Sequence, residues 1–232
     1  MRASGSGSKS ATADVYETLR GWLMEGRIPP GERLTIDALA RELGVSATPV
    51  REAIGRLEGD NLVVWTSGRG AVASPVLDFS ELKQLYEFRL LIEPWAARCA
   101  AVQRLSNPGA FLSSEIAAFE ALVGSGADLA REKAFAHDMR FHESVVAATE
   151  NAFIVNAYEQ SHCHLHIFRL EYTATDVFLT IGEHRAMAKA IEDCDPAAAA
   201  AVAEEHIRNS FERAAAAFRK GAVRDTAATP SG

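Results

Sequence analysis

The stretch from Ile28 to Pro75, IPPGERLTIDALARELGVSATPVREAIGRLEGDNLVVWTSGRGAVASP, limits what this chain can fold into more than any other part of it. Ile36, Leu39, Ala40 and Leu43 recur at helical spacing, and Gly44 after them supplies a left-handed stop. Ser46 or Thr48 can cap a second helix whose apolar face is Val50, Ala53, Ile54 and Leu57. Pro49 falls in its first turn, where a missing N–H costs little. Beyond Asn61 the pattern changes to Leu62, Val63, Val64 and Trp65, then Ser67-Gly68-Arg69-Gly70, then Ala71, Val72 and Ala73, which reads as a hairpin with an arginine at its tip. Two short helices, a tight turn and such a hairpin make a winged helix-turn-helix. The exposed face of the second helix, Thr48, Arg51, Glu52 and Arg56, can meet a major groove.

These residues resemble the GntR family of bacterial transcription regulators, whose DNA-binding domain carries PPGERL, LA-x-x-LGVS, TPVREA-x-x-x-L and a Gly-Arg-Gly wing. The resemblance implies that Arg41, Thr48 and Arg51, with Gly68 and Arg69 in the wing, contact double-stranded operator DNA. The family usually has arginine directly after the serine of GVS. Here that place is Ala47, so the family's target sequence is not carried over.

A net charge of −7 would argue against nucleic acid if it were spread evenly. It is not: up to Leu77 the chain has nine basic and nine acidic residues, and the whole excess of acid lies beyond. A locally neutral module with arginines on one helix can still bind phosphates. The 232 residues are enough for two ordinary domains, and the 48% hydrophobic composition can build a core in each. Cys99, Cys163 and Cys194 are widely spaced with no C-x-x-C pair, which suits a reducing cytoplasm and points to neither a disulfide framework nor a thiolate zinc site. No apolar run is long enough for a membrane span.

The chain divides by composition into a Gly/Ser-rich tail expected to be disordered over residues 1–11, the winged helix over 12–75, a helical domain over 79–220, and a frayed tail over 221–232. Thr12 can cap a first helix with the stripe Val15, Leu19, Trp22 and Leu23. After Asp78 the pattern is helical throughout: about Ser80 to Arg104, where Pro94 should introduce a bend, then Gly109 to Val123, Asp128 to Thr149, Ala152 to Glu171, Asp176 to Cys194 and Pro196 to Lys220. These six helices and their short connections predict an all-α antiparallel bundle, so the fold class is mainly α. The alanine runs near Ala197 and Ala214 read as helix, since alanine is the best helix former.

Asp138 and His142 stand at i and i+4 and share a helix face with Phe135 and Val145. His184 lies in line with Ile181, Ala188 and Ile191, and His206 in line with Val202. Four polar groups on packing faces of three helices are costly unless something compensates them, and a divalent metal is the obvious compensation. Three nitrogens and one oxygen would leave room on the metal for water or a ligand. The imidazole and carboxylate donors suit zinc foremost, and also nickel, manganese or iron. The same residues resemble the FCD ligand-binding domain of the FadR branch, in which an Asp-x-x-x-His pair and two later histidines hold a metal. The six-helix count is similar to the vanillate-regulator-like subgroup.

Arg89 falls among Leu82, Leu85, Ala96 and Ala100 on the inner face of its helix, with Glu93 one turn on. It either pairs with Glu93 or forks onto a ligand carboxylate. Tyr158, His162 and Arg169 lie on or beside the inward face of Ala152 to Glu171 and could line the same cavity, whereas His164 and His166 are expected to point elsewhere. The sequence thus predicts a cytoplasmic, homodimeric DNA-binding regulator, not an enzyme, whose operator affinity is set by a small carboxylate bound near a divalent metal. A metal sensor in which the ion is itself the signal is the alternative, with a metal-dependent hydrolase behind it.

Overall fold

The computed structural model describes residues 6–124, 131–170 and 174–219. Residues 1–5 and 221–232, read above as tails, lie outside this range. The chain separates into two compact units, Met1–Val76 and Leu77–Gly232.

In the first unit, α1 spans Ser6–Met24, α2 Ile36–Leu43 and α3 Ala47–Gly59, followed by β1, Val63–Thr66, and β2, Gly70–Ala73. Helix α1 starts six residues before the expected Thr12, so residues 6–11 are helical and not part of a tail. Extending a helix that packing has already nucleated adds one hydrogen bond per residue, which offsets the poor propensity of Gly7 and its serine neighbours. Thr12 is therefore no cap, and its hydroxyl donates to Glu52 Oε2 on α3 at 2.7 Å. Val15, Leu19 and Leu23 are buried with Val50, Ala53, Ile54 and Leu57 of α3. Trp22 stays half-buried, with the Arg27 guanidinium 3.8 Å over its ring.

Gly44 closes α2 at φ 67, a left-handed angle that costs glycine little, and its N–H returns to Ala40 and Arg41 carbonyls. Ser46 is the N-cap residue of α3 by its extended backbone, although its side chain makes no capping bond. The wing pairs β1 with β2 antiparallel from Val63↔Ala73 to Thr66↔Gly70. Periodicity did not show that the PPGERL segment lies along β2 as well: Gly31 N–H donates to Ala73 O, Ala73 N–H to Glu32 O and Leu34 N–H to Ala71 O, each at 2.8–2.9 Å.

In the second unit, α4 spans Phe79–Val102, α5 Gly109–Gly124, α6 Arg131–Ala147, α7 Ala152–Ser161, α8 Cys163–Arg169, α9 Ala174–Glu192 and α10 Pro196–Arg219. Asp78 and Glu81 form a reciprocal capping box that starts α4, and Pro94 falls inside that helix without ending it. The helix expected over Ala152 to Glu171 is two helices, broken where His162 takes left-handed angles of φ 46 and ψ 33. That break makes seven helices in this unit among the described residues. Helix α4 packs on α6, α9 and α10, and α5 packs on α6 and α9. Ala96, Ala97 and Ala100 on α4 and Ala199 and Ala203 on α10 are buried, so the alanine run near Ala197 serves close helix packing. At Gly109 a Cβ would stand 2.6 Å from the Glu192 Cα, so only glycine lets the start of α5 cross the end of α9 this closely.

Candidate functional site

Helix α6 carries Asp138 and His142 one turn apart, α9 carries His184, and α10 carries His206. All three imidazoles are buried. His142 Nε2 lies 3.2 Å from both His184 Nε2 and His206 Nε2. Asp138 Oδ1 approaches the same point, 3.8 Å from His142 Nε2 and 3.6 Å from His184 Nε2. Ligand atoms held about 2.1 Å from a tetrahedral ion stand roughly 3.4 Å apart, close to this spacing.

The outer atoms of the same side chains explain why the inner ones converge. His142 Nδ1 donates to Glu93 Oε2 at 2.7 Å, and His206 Nδ1 donates to Glu183 Oε2 at 2.7 Å. A neutral imidazole bonded this way through Nδ1 presents only a lone pair at Nε2. Burial holds His142 at about 4 despite Glu93, and burial with the neighbouring rings holds His184 well below the usual histidine value. Lone pairs 3.2 Å apart in a dry interior repel unless a cation sits between them. The donor set therefore fits a divalent metal, and the carboxylates behind the rings are the partners that metal-bound histidines need.

A second set of groups closes a ring around the first. Glu93 Oε1 accepts from Arg89 Nε at 2.5 Å and from the Tyr158 hydroxyl at 2.8 Å. With its proton given to Glu93, that hydroxyl accepts from His164 Nε2 at 2.7 Å, while His164 Nδ1 donates to Asp138 Oδ2 at 2.6 Å. His164 thus bears protons on both nitrogens. Burial pulls its pKa down, but Cys163 and Asp138 outweigh burial and raise it to about 10. Burial likewise opposes ionisation of Asp138, yet His164 and the neighbouring histidines hold that carboxyl well below its usual range.

The expectation that His164 points away from the interior is therefore wrong. The break at His162 changes the helical phase, turning α8 so that His164 faces Asp138 and His162 becomes a half-buried cap between two helices. Tyr158 is buried in the ring as described, and Arg169 is half-buried near the end of α8, where burial lowers it to about 10. Arg89 faces inward with Nε and Nη2 both on Glu93, so the ion pair anticipated as one of its two roles is present.

Sequence reasoning missed three further groups. Glu183, next to His184 in sequence, turns to His206 and also accepts from Arg213 and Asn209. His137 stacks on Phe119 with ring centroids 4.2 Å apart, and its Nε2 lies 3.3 Å from His184 Nδ1. Cys163 is buried beside His164, which with Arg89 pulls its thiol down although burial alone would raise it. Beside the cluster lies a cavity of about 20 Å³ lined by Phe119, Ala134, His137, Asp138, Phe168, Thr180 and Ile181, room for roughly one water.

In the first unit Arg41, Thr48, Arg51, Gly68 and Arg69 are all exposed. Arg41 Nε donates to Asp37 O, and Arg69 Nη2 donates to Gly31 O, which holds the wing arginine against the PPGERL segment.

A winged helix-turn-helix with an arginine-bearing recognition face, in one chain with a helical unit enclosing a polar interior, defines a DNA-binding regulator with a sensory domain. Residues 11–72 match the model of bacterial regulatory proteins of the gntR family, and residues 84–209 match that of the FCD domain. The chain belongs to the FCD-containing branch of the GntR family, a family of transcription regulators and not of enzymes, which sets the hydrolase reading aside. It is 30% identical to a probable D-xylose utilization operon transcriptional repressor of Paenarthrobacter nicotinovorans, over 80% of each chain. It is 27% identical to the Uxu operon transcriptional regulator of Escherichia coli, over 88% of this chain and 89% of that one. A putative GntR regulator from Rhodococcus sp. RHA1 shares the fold with TM-score 0.73 at 19% identity, covering 90% of this chain and all of the other. Among the described residues no helix is long and apolar enough to cross a membrane.

Proposed function

We propose that the chain is a homodimeric regulator whose second unit holds one divalent metal through Asp138, His142, His184 and His206, and that a small organic acid binding at that metal alters operator affinity. The observation that carries this reading is the charge balance of the buried ring. Asp138 is already compensated by His164, and Glu93 by Arg89. His142 and His184 at the centre are neutral donors, so a divalent ion would bring positive charge that the surrounding protein does not cancel. Burying such charge is costly, which favours an anionic group in the metal's remaining positions. A carboxylate supplies it.

The adjoining cavity holds about one water, so an acid of several carbon atoms enters only if the walls formed by α5, α6 and α9 move. That movement gives the acid different affinities for two states of the domain, and only such a difference can change DNA binding. Arg89 then acts through Glu93 and His142, as an anchor behind the metal.

The small cavity is also what favours the competing reading, in which the metal is itself the signal. Fluorescence anisotropy of labelled operator, at saturating metal, with a panel of central and aromatic organic acids separates the two. At least one acid should shift the operator binding curve at constant metal. Curves that move with metal concentration and with no acid would establish the metal as the signal.

A further inference from the structure

Two of the ring histidines have a carboxylate directly behind them, and the third does not. His142 is backed by Glu93 and His206 by Glu183, whereas His184 Nδ1 meets another imidazole, with His137 Nε2 at 3.3 Å. The far nitrogen of that second ring, His137 Nδ1, is buried and makes no hydrogen bond among the described residues. Leaving a buried polar atom unbonded is costly, so this one asks for an explanation. Glu115 Oε1 on α5 stands 3.6 Å from it, just outside bonding distance, and accepts from Arg140 Nε at 2.9 Å.

We infer that His137 is the positioning residue of His184, and that it links the metal to Glu115 through a chain of two imidazoles. This rests on the metal reading above. The argument is a count of protons. An imidazole that gives its Nε2 lone pair to a metal keeps its one proton on Nδ1, so His184 donates there. His137 Nε2 then has to accept, which puts the His137 proton on Nδ1, the nitrogen on the Glu115 side. The other tautomer of His137 would set two N–H groups against each other in a dry interior. Phe119 holds the plane of the His137 ring, stacking on it 7° from parallel. All three metal histidines thereby end on a carboxylate, the arrangement that fixes a ligand's tautomer and strengthens it as a donor, in the case of His184 one ring further out.

Phe119 and Glu115 both belong to α5, which walls the small cavity beside the cluster. A movement of that wall stretches the chain from Glu115 to His184. Opening the cavity and loosening the support of the third histidine are then one event.

Zinc affinity of the full-length protein, measured by competition with a chromophoric chelator, tests the link. His137→Phe keeps an aromatic ring against Phe119 but neither accepts nor donates, and should bind zinc about 10- to 100-fold more weakly. Its metal-free melting temperature should change little, because the variant removes one orphaned nitrogen and creates another at His184. His137→Gln, whose amide both accepts and donates, should recover most of the zinc affinity, which a packing role for the ring would not allow. Glu115→Ala should weaken zinc in the same direction without disturbing the stack. In the zinc-loaded wild type, long-range proton–nitrogen correlation spectra of isotope-labelled histidine should find His137 protonated at Nδ1 and bare at Nε2. A wild type that binds no zinc overturns the metal reading and this link together. With zinc bound by the wild type, a folded His137→Phe of equal affinity, or a His137 protonated at Nε2, overturns the link alone. The spectra and Glu115→Ala decide even if His137→Phe does not fold, and a Glu115→Ala that holds zinc as tightly as wild type overturns the reach of the chain to α5.

Discussion

His142 and His206 face each other Nε2 to Nε2 at 3.2 Å, while behind each ring a carboxylate, Glu93 or Glu183, accepts a hydrogen bond from Nδ1 at 2.7 Å. Burial keeps His142 neutral down to about 4, whereas in the unfolded chain a histidine titrates near 6.5. Below 6.5 the unfolded state therefore binds protons that the native state refuses, so stability from this ring is complete above 6.5 and is lost as pH falls towards 4. His164 works in the opposite sense. Its native value of about 10 makes its contribution complete below 6.5 and lost as pH rises towards 10. The melting temperature of the metal-free protein should peak near neutrality and fall on both sides. Bound metal should steepen the acid limb, because protons compete with it for the same nitrogens. A melting temperature flat from pH 4 to 6.5 would contradict the neutral, buried assignment of His142.

Arg89 and Glu93 are each 2% exposed and joined by two bonds, so neither tolerates the loss of the other. Arg89→Ala leaves an uncompensated carboxylate in the core and should cost about 3 to 5 kcal/mol of stability. Arg89→Met with Glu93→Gln removes both charges and should be markedly less damaging than Arg89→Ala alone. Urea denaturation of the three proteins decides this, and a near-neutral Arg89→Ala would show that the pair contributes little.

His164 supplies positive charge to Asp138, a duty that a metal would share. His164→Leu should therefore destabilise the metal-free protein more than the metal-loaded one. Thermal melts with and without saturating zinc measure the difference. An equal loss in both conditions would mean that His164 is a packing residue with no link to the site.

Arg51 is exposed on the recognition helix and has no ion pair among the described residues to restrain it. Arg51→Ala should cost about 1 to 3 kcal/mol of operator binding if the side chain reads a base, and should flatten the salt dependence if it neutralises a phosphate. Gel-shift titrations at two salt concentrations distinguish these outcomes. Unchanged affinity at both would remove Arg51 from the interface.

The winged helix was legible because each local signal agreed with its neighbours. Gly44 stopped one helix, Pro49 opened the next, and Gly68 and Gly70 turned the hairpin. Asp138, His142, His184 and His206 could be picked out because each sits on an uninterrupted helix whose phase runs true along its length. His164 was lost for the converse reason. A single left-handed residue, His162, resets the helical phase, and no periodic count across residues 152 to 171 can register it. Glu183 and His137 were invisible for another reason. Each lies beside a metal-facing residue in sequence, at about 100° around the helix, where a count along one face reads it as pointing elsewhere. Their roles exist only once α5, α9 and α10 have packed.

The central claim is that the three histidines and Asp138 hold a metal, and elemental analysis of the purified protein tests it most directly. Wild type should contain one divalent ion per chain, His184→Ala and His206→Ala should contain far less, and both should lose thermal stability in step with the metal. Replacing His166, which lies outside the cluster, should leave the content unchanged. A wild type that remains free of bound metal after equilibration with zinc, nickel, manganese and iron, or full metal content in both histidine variants, would contradict the account.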